Sequence, residues 1–179
     1  MEGQLIVTQP DALSGASGAS YDYVRAARAE VHDAYRLAGY LLGDATEAQD
    51  AVQDALVKAW RSWPNLRDPE AFGPWFERIV VNVCRDRMRR HRTLRMVDLD
   101  AAGDVESADT FGAMVADDEV AGAVARLGPD HRIVIALRFW RDLTLEQVAE
   151  TLGLPLGTVK SRLHYALAAL RTELKGMER

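Results

Sequence analysis

The sequence has very few of the residues that build disulfides and metal sites. Its 179 residues include one cysteine, Cys84, and four histidines. A single cysteine excludes an internal disulfide, and the chain has no Cys/His spacing that is typical of zinc sites. We therefore predict that the protein uses no metal ion and no other cofactor.

Long apolar runs are also missing from the chain. No apolar segment approaches the roughly 20 residues that a membrane-spanning helix needs. The first residues lack the basic region and apolar core of a secretory signal. Hydrophobic residues make up 48% of the chain and charged residues 27%, as in ordinary soluble proteins. These features predict a cytoplasmic protein with no membrane association.

The alternating pattern of a β-strand is absent from every segment of useful length. Apolar residues recur instead every three or four positions, which is the pattern of amphipathic helices. This predicts an all-α protein. The predicted helices cover residues 22–42, 45–62, 74–92, 117–127, 130–141, 145–152 and 156–174.

Charge is unevenly distributed along the chain, whose net charge is −5. Residues 98–125 contain eight acidic residues and no basic one, whereas residues 21–97 and 126–179 are mildly basic. Such an acidic block, rich in Asp, Gly and Ala, is typical of a linker. We predict two small helical domains, at 21–96 and 117–179, joined by an acidic flexible linker at 97–116. A flexible leader at 1–20, ending in SGASGAS, precedes them.

The second and third predicted helices each have an apolar side that is predicted to be buried. On the second helix this side comprises Ala48, Val52, Ala55, Leu56, Ala59, Trp60 and Trp63. On the third it comprises Phe72, Trp75, Phe76, Ile79, Val80, Val83 and Cys84. The third helix is predicted to begin properly at Pro74, because a proline deeper in a helix loses a backbone bond and clashes.

The third helix ends in RDRMRRHRTLR, with six arginines among eleven residues. Basic side chains at a helix C-terminus are favoured by the helix dipole, and a solubilising helix end is the simplest explanation for a few of them. Six arginines exceed what capping needs. The pattern therefore favours contacts with phosphates.

Residues 143–174 have the plan of a helix-turn-helix. Thr144 and Gln147 form a capping box, Leu143 and Val148 fit a hydrophobic staple, and Gly153 lies where the chain must turn sharply. The second helix of such a motif enters the major groove of DNA with its N-terminal residues at base edges. In LPLGTVKSRLHYALAALR, residues 154–171, one stripe is apolar and packs on a core. The periodicity alone leaves open whether the other side faces DNA or only water.

The helix-turn-helix segment and two segments of the N-terminal half resemble a known family. TLEQVAETLGLPLGTVKSRLHYALAALR resembles the C-terminal DNA-reading domain of sigma factors, and also the output domain of some two-component regulators. LGDATEAQDAVQDALVKAWRSW and AFGPWFERIVVNVCRDRMRRHR resemble the promoter-melting domain of the extracytoplasmic-function (ECF) sigma factors. The resemblance covers about residues 25–95 and 117–174, in the family's order. It implies an RNA polymerase sigma factor with no catalytic residues of its own.

The resemblance also implies which residues bind each partner. Contacts with the duplex −35 element are expected from Thr158, Lys160, Ser161, Arg162, His164 and Tyr165. Capture of melted −10 bases is expected from Asn65, Arg67, Asp68, Trp75, Asn82, Arg85, Asp86, Arg89 and Arg90. The clamp of core RNA polymerase is expected to bind Asp50, Gln53, Asp54, Val57 and Arg61. An anti-sigma factor is the expected regulator, and the chain is expected to be a monomer when free of partners.

Simpler interpretations exist for several of these residues. Burial tendencies favour core packing for at least one of Trp75 and Phe76. On its pattern alone, the polar side of the second helix is equally compatible with solvent. Tyr165 stands where relatives often carry a basic residue, and Gly73-Pro74 replaces a polar pair that is usual before the tryptophan of the third helix. The −35 sequence and the start of that helix are therefore where this chain departs from the family.

Two other functions fit parts of the sequence. A polymerase-independent helix-turn-helix regulator would bind duplex DNA tightly by itself, as a dimer. An enzyme would have to use Cys84 or the histidines, but Cys84 lies on the apolar side of its helix with no base beside it in sequence. A buried, inert cysteine is the favoured interpretation.

Overall fold

The computed structural model describes residues 11–98 and 118–177. The helices are α1 (Asp11–Leu42), α2 (Ala45–Ser62), α3 (Phe72–Asp98), α4 (Asp118–Arg126), α5 (Pro129–Ile135), α6 (Leu145–Leu152) and α7 (Leu156–Met177). One-turn 3-10 helices at Trp63–Asn65 and Pro69–Ala71 connect α2 to α3, and a π-helical turn, Ala136–Trp140, continues α5. These two ranges contain no β-strand, which confirms the all-α prediction.

Helices α1, α2 and α3 pack together as an N-terminal unit. Its core contains fully buried side chains from each helix, among them Leu37, Val52 and Phe76. Gly43 follows the last residue of α1 and has a left-handed conformation, with φ 74°. The Asp44 side chain then accepts a hydrogen bond from the Glu47 backbone N–H at 2.7 Å. This N-cap explains why α2 begins where it was predicted to begin.

Two helix starts differ from the sequence-based prediction. Helix α1 begins at Asp11, so residues 11–20, predicted as flexible leader, belong to a helix; residues 1–10 lie outside the described range. Pro10 lies directly before Asp11. No proline lies within α1, where it would interrupt the helix. Helix α3 begins at Phe72 rather than Pro74, because a proline in the first turn has no intrahelical hydrogen bond to lose.

One residue of the predicted apolar side of α2 is not buried. Trp60 is 46% exposed, whereas Ala55 and Ala59 are buried and Leu56 and Trp63 are partly buried. Trp60 lies about 80° around the helix from Val52, at the edge of the stripe. It packs by its edge on the ring of Tyr23, with centroids 5.0 Å apart, and leaves its other side in solvent.

Helices α4 to α7 form a C-terminal unit, and the first residue of α4 is Asp118. Val124, Leu127, Ile135 and Ala166 form a small cluster between α4, α5 and α7. The predicted linker, 97–116, lies outside the described residues except for its first two positions, which belong to α3. None of the helices in the two described ranges combines the length and apolar character that crossing a bilayer requires.

The two units contact each other directly. Helices α5 and α6 pack against α3, and the larger apolar cluster runs without interruption from Val80 and Phe76 to Leu137 and Val148. Arg132 of α5 donates a hydrogen bond from Nη1 to the backbone oxygen of Leu41 at 2.8 Å. The described chain therefore adopts a closed arrangement in which both units share one core.

Candidate nucleic-acid interface

Local interactions in α6 and the following turn position helix α7. Thr144 Oγ1 accepts from the Gln147 N–H at 3.2 Å, and Gln147 Oε1 accepts from the Thr144 N–H at 2.8 Å, which confirms the predicted capping box. Gly153 has φ 62°, a left-handed conformation that favours glycine. Val159 and Ala166 of α7 are fully buried. The helix-turn-helix is thus fixed on one side by its core and leaves its other side available.

The predicted −35 residues all lie on the first three turns of α7. Lys160, Ser161, His164 and Tyr165 are exposed, and Thr158 and Arg162 are partly buried. Ser161 Oγ donates to the Thr158 backbone oxygen at 2.9 Å, and the His164 and Tyr165 rings meet edge to face at 5.5 Å. Tyr165 is 62% exposed. The structure places these six residues within three turns of one helix, with Lys160, Ser161, His164 and Tyr165 open to solvent.

The aromatic residues at the start of α3 divide between core and surface. Phe76 is 1% exposed and stacks on Phe72, with ring centroids 5.3 Å apart. Core packing, which was predicted for at least one of Trp75 and Phe76, is therefore confirmed for Phe76. Trp75 is half-buried and tilts against the same Phe72 at 5.7 Å. Trp75 therefore has one supported face and one accessible part, which is the arrangement that a stacking surface needs.

The polar side of α3 carries the remaining helical residues of the predicted −10 site. Asn82 and Arg85 are partly buried, and Arg85 Nη2 donates to Asn82 Oδ1 at 2.5 Å. Asp86, Arg89 and Arg90 are exposed. The predicted loop residues Asn65, Arg67 and Asp68 are exposed too, and Asp68 Oδ1 caps the short 3-10 turn by accepting from the Glu70 N–H at 3.0 Å.

A groove between α2 and α3 was not anticipated from the sequence. Its volume is about 400 Å³, and it is lined by Lys58, Arg61, Ser62, Ile79 and Asn82. The groove combines an apolar wall, an amide that can both donate and accept, and two cations. Lys58, Arg61 and Ser62 share one side of α2 at helical spacing, but only the packing of α2 on α3 places them beside Asn82. Arg61 was predicted as a polymerase contact, and it also borders this groove.

The predicted polymerase-binding residues share the outward side of α2. Asp50, Gln53, Asp54, Val57 and Arg61 are all exposed, and Val57 has an exposed fraction of 48%. Asp54 Oδ2 pairs with Arg87 Nη2 of α3 at 2.6 Å. Arg87 also lies 3.7 Å from Glu47 Oε2, so this guanidinium joins α3 to α2.

Cys84 is fully buried on the apolar side of α3. Burial raises the pKa of its thiol to about 12. The thiolate that nucleophilic chemistry needs is therefore scarce at neutral pH. The described residues also contain no group of three or more His, Cys, Asp or Glu side chains that could hold a metal ion.

Comparison with known proteins accounts for both units. Residues 26–93 match the family model for sigma-70 region 2, and residues 123–172 match the model for sigma-70, region 4. The chain is 36% identical over 175 residues to the ECF RNA polymerase sigma factor SigL of Mycobacterium tuberculosis, covering 91% of this chain and 95% of SigL. It is 29% identical over 157 residues to the ECF RNA polymerase sigma factor SigW of Bacillus subtilis, covering 80% and 83% of the two chains.

Solved structures have the same fold. The sigma factor RpoE of Bartonella quintana, in complex with the anti-sigma factor NepR, has a TM-score of 0.64 at 24% identity, over 86% of this chain and 97% of RpoE. CnrH, in complex with the cytosolic domain of CnrY, has a TM-score of 0.61 at 25% identity, over 92% and 95%. With both regions matched in order, the chain belongs to the sigma-70 family and, within it, to the extracytoplasmic-function RNA polymerase sigma factors.

Proposed function

We propose that this sigma factor binds core RNA polymerase, reads duplex −35 DNA with α7, and captures melted −10 bases with α3 and the loop before it. The observation that carries this proposal is the pair of accessible polar helix surfaces, one on each unit, each supported from behind by a buried apolar side. The polymerase performs the bond-making chemistry. The sigma factor contributes binding.

The polar side of α7 has the chemistry of a major-groove reader. Lys160 and Arg162 supply cations for phosphates or for a guanine edge, and a bidentate guanine contact is worth about 1–3 kcal/mol of discrimination. Ser161 and Thr158 offer hydroxyl groups. Exposed Tyr165 offers an aromatic surface, so we propose that part of the −35 contact is apolar in this chain.

The −10 surface has the chemistry of single-strand capture. Trp75 offers a ring for stacking, Arg89 and Arg90 offer positive charge for the backbone, and Asn82 borders the groove of about 400 Å³ between α2 and α3. Binding unstacked bases but not the paired duplex shifts the equilibrium from closed to open promoter. We assign Lys58 and Arg61 to this surface in addition to the predicted residues, because they line the same groove.

The outward side of α2 is proposed as the clamp-binding surface. Val57 is an exposed apolar side chain among polar neighbours, which suits a protein interface better than bare solvent. Asp54 forms an ion pair with Arg87 of α3, and this pair links the proposed clamp-binding surface to the −10 helix. Docking on polymerase would thereby position α3 against the melted strand.

We further propose cytoplasmic action, no catalytic residue, and control by an anti-sigma factor. One solved structure of similar fold is a complex with a partner named as an anti-sigma factor, NepR, which supports regulation of this kind. The buried Cys84 thiol, with its raised pKa, offers no accessible nucleophile.

The test is reconstituted transcription with purified core polymerase on a promoter library. We expect selective start sites that core polymerase alone does not use, and their absence would contradict the proposal. A mobility-shift assay without polymerase separates the main proposal from a polymerase-independent regulator. The sigma factor alone should bind the selected promoters weakly and with strong salt dependence, whereas the regulator would bind tightly and as a dimer.

A further inference from the structure

We propose that Arg85 is a positioning residue for the groove between α2 and α3. It holds the oxygen of the Asn82 amide, so that the groove presents hydrogen-bond donors and selects guanine among the captured −10 bases. The inference rests on the proposed function, which makes this groove part of the −10 surface. It goes beyond that function by naming the base that the groove takes and the residue that sets the choice.

The groove is built from one stripe of side chains on each helix. On α2, Lys58, Arg61 and Ser62 have the i, i+3, i+4 spacing that places them on one side of the helix. On α3, Ile79 and Asn82 lie three positions apart and form the facing wall. The volume of about 400 Å³ is typical of sites for small ligands, so a single base can enter the groove.

The Asn82 amide has a fixed orientation beside this groove. Arg85, about one turn further along α3, donates from Nη2 to Asn82 Oδ1 at 2.5 Å. A guanidinium has donors only, so an amide that faces it must present its oxygen. Within the described ranges, Asn82 Nδ2 donates to no protein group, and it is not buried. The amide therefore offers its N–H groups to a ligand.

The contacts of Arg85 are not those of a structural ion pair. Arg87, two residues further on, is paired with Asp54, whereas Arg85 pairs with no carboxylate of the described residues. Arg85 Nε is buried, and no described residue accepts a hydrogen bond from it. A buried donor without an acceptor destabilises the folded chain, and such costs are typical of functional positions. The contact that Arg85 does make, with Asn82, is the one that explains its place.

Donors from both walls determine which base fits. Lys58 and Arg61 supply cations from α2, and Asn82 supplies Nδ2 from α3. Guanine presents two neighbouring acceptors, O6 and N7, on one edge, whereas adenine and cytosine carry an amine on the corresponding edge. An amine that faced these donors would leave them unpaired, which strongly disfavours the wrong base. Ile79 offers an apolar surface to the face of the ring.

Base analogues test the predicted choice on the wild-type chain. The holoenzyme, made from core polymerase and the full-length chain, is titrated with fork-junction DNA whose −10 strand is single-stranded. The varied base lies at the −10 position where Asn82→Ala relaxes selection, and we expect guanine there. Loss of N7 in 7-deazaguanine, or of O6 in 2-aminopurine, should weaken binding about tenfold. Inosine, which lacks only the amine at C2, should bind as guanine does.

A variant of Arg85 and a matched control test the positioning role. Arg85→Met removes the donor to Asn82 and should reduce the preference for guanine over adenine about tenfold. Arg90→Met removes the same charge from an exposed position of α3. It should weaken binding of both probes equally and leave their ratio unchanged. Adding Arg85→Met to Asn82→Ala should not change the ratio further, because Arg85 acts through the amide.

A second variant tests the amide orientation without changing Arg85. Asn82→Asp keeps the side-chain oxygens and removes Nδ2, so it should lose the preference for guanine as Arg85→Met does. It also decides the question if Arg85→Met folds poorly, as judged by circular dichroism. A retained preference in Asn82→Asp would show that the oxygen, not Nδ2, reads the base.

The results separate failure of this inference from failure of the proposed function. The inference is wrong, even when transcription is selective, if Asn82→Ala relaxes no −10 position or if another base is selected there. It is also wrong if the analogues without N7 or O6 bind as well as guanine, or if Arg85→Met keeps the wild-type ratio. If the wild-type chain supports no selective transcription, the proposed function itself fails.

Discussion

The two helices that are proposed to contact DNA, α3 and α7, differ in how their polar side chains are engaged. On α3, Arg87 is paired with Asp54 and Glu47, and Arg89 is paired with Asp130. On α7, Arg162 is likewise paired with Asp130, but Lys160 and three more of the six predicted −35 residues are exposed. The arginine-rich helix therefore offers less free positive charge than its composition indicates, and the less basic helix has the more open surface. The number of arginines in a helix is a poor measure of its phosphate-binding capacity when acids of the same protein face them.

The two helices also differ in what supports them from behind. Phe76 and Val80 of α3 are buried among three helices of the N-terminal unit. Helix α7 contributes Val159 to the same large apolar cluster and is otherwise supported by the small cluster around Ala166. The −10 surface is thus built on a deep core, and the −35 surface depends more on local caps and turns. This difference determines which substitutions should damage which surface.

The largest effect is expected from the core beneath α3. Phe76→Ala removes a ring that is 1% exposed and should lower the free energy of unfolding by about 3–5 kcal/mol. Phe139→Ala is the matched control, since this ring is 57% exposed, and should change stability by no more than about 0.5 kcal/mol. Urea denaturation of both variants measures the difference. Equal losses would show that α3 is not supported by a deep core.

A smaller effect is expected from the cap that positions α7. Thr144→Ala removes the acceptor of the Gln147 N–H and should cost about 1 kcal/mol of stability. Thr172→Ala, an exposed position inside α7 where the hydroxyl bonds back to the Ala168 oxygen, should be close to neutral. The same denaturation experiment compares them. A neutral Thr144→Ala would mean that the capping box does not hold the helix-turn-helix.

An arginine of α3 that is paired with acidic residues and an arginine that is exposed to solvent should respond differently to substitution. Arg90→Ala should reduce the salt dependence of promoter binding by the polymerase complex, changing the slope of log affinity against log salt by about one. Arg87→Ala should leave that slope unchanged and lower the free energy of unfolding by up to about 1 kcal/mol, because it loses Asp54 and Glu47. Affinity titrations at several salt concentrations, together with denaturation, measure both quantities. Identical salt slopes for the two variants would contradict the comparison.

The smallest effect on activity is expected at Cys84. Burial raises its thiol pKa to about 12, so the protonated form prevails at pH 8 and alkylation of the native chain by iodoacetamide should be very slow. The unfolded chain in urea should be alkylated rapidly. Cys84→Ala should transcribe as the wild type does. Rapid alkylation of the native protein, or loss of transcription in the variant, would show that the thiol is accessible or used.

Local features were predictable from the sequence because they depend on neighbouring residues. The bounds of α2, the capping box of Thr144 and Gln147, and the turn at Gly153 all follow from side chains within a few positions of one another. The apolar sides of α3 and α7 follow from helical periodicity. The domain order follows from the family resemblance, which depends on motifs that are contiguous in sequence.

Features that depend on contacts between distant segments were missed. The exposure of Trp60 depends on how α1 approaches α2, and the groove beside Lys58 depends on how α2 approaches α3. Nothing near Asp130 in the sequence indicates that it would meet Arg89, which is 41 residues away. Helix α1 is longer than predicted because the Ala-, Ser- and Gly-rich composition of residues 11–20 is typical of a linker, although this segment follows Pro10 and belongs to the helix.

The claim that α3 and α7 read separate promoter elements is tested most directly by promoter selection with two variants. A library with randomised −10 and −35 elements is transcribed by core polymerase with the wild-type chain, with Asn82→Ala or with Arg162→Ala. We expect Asn82→Ala to relax selection at −10 only and Arg162→Ala to relax it at −35 only. Relaxation of both elements by either variant, or of neither by both, would contradict the division of labour between the two helices.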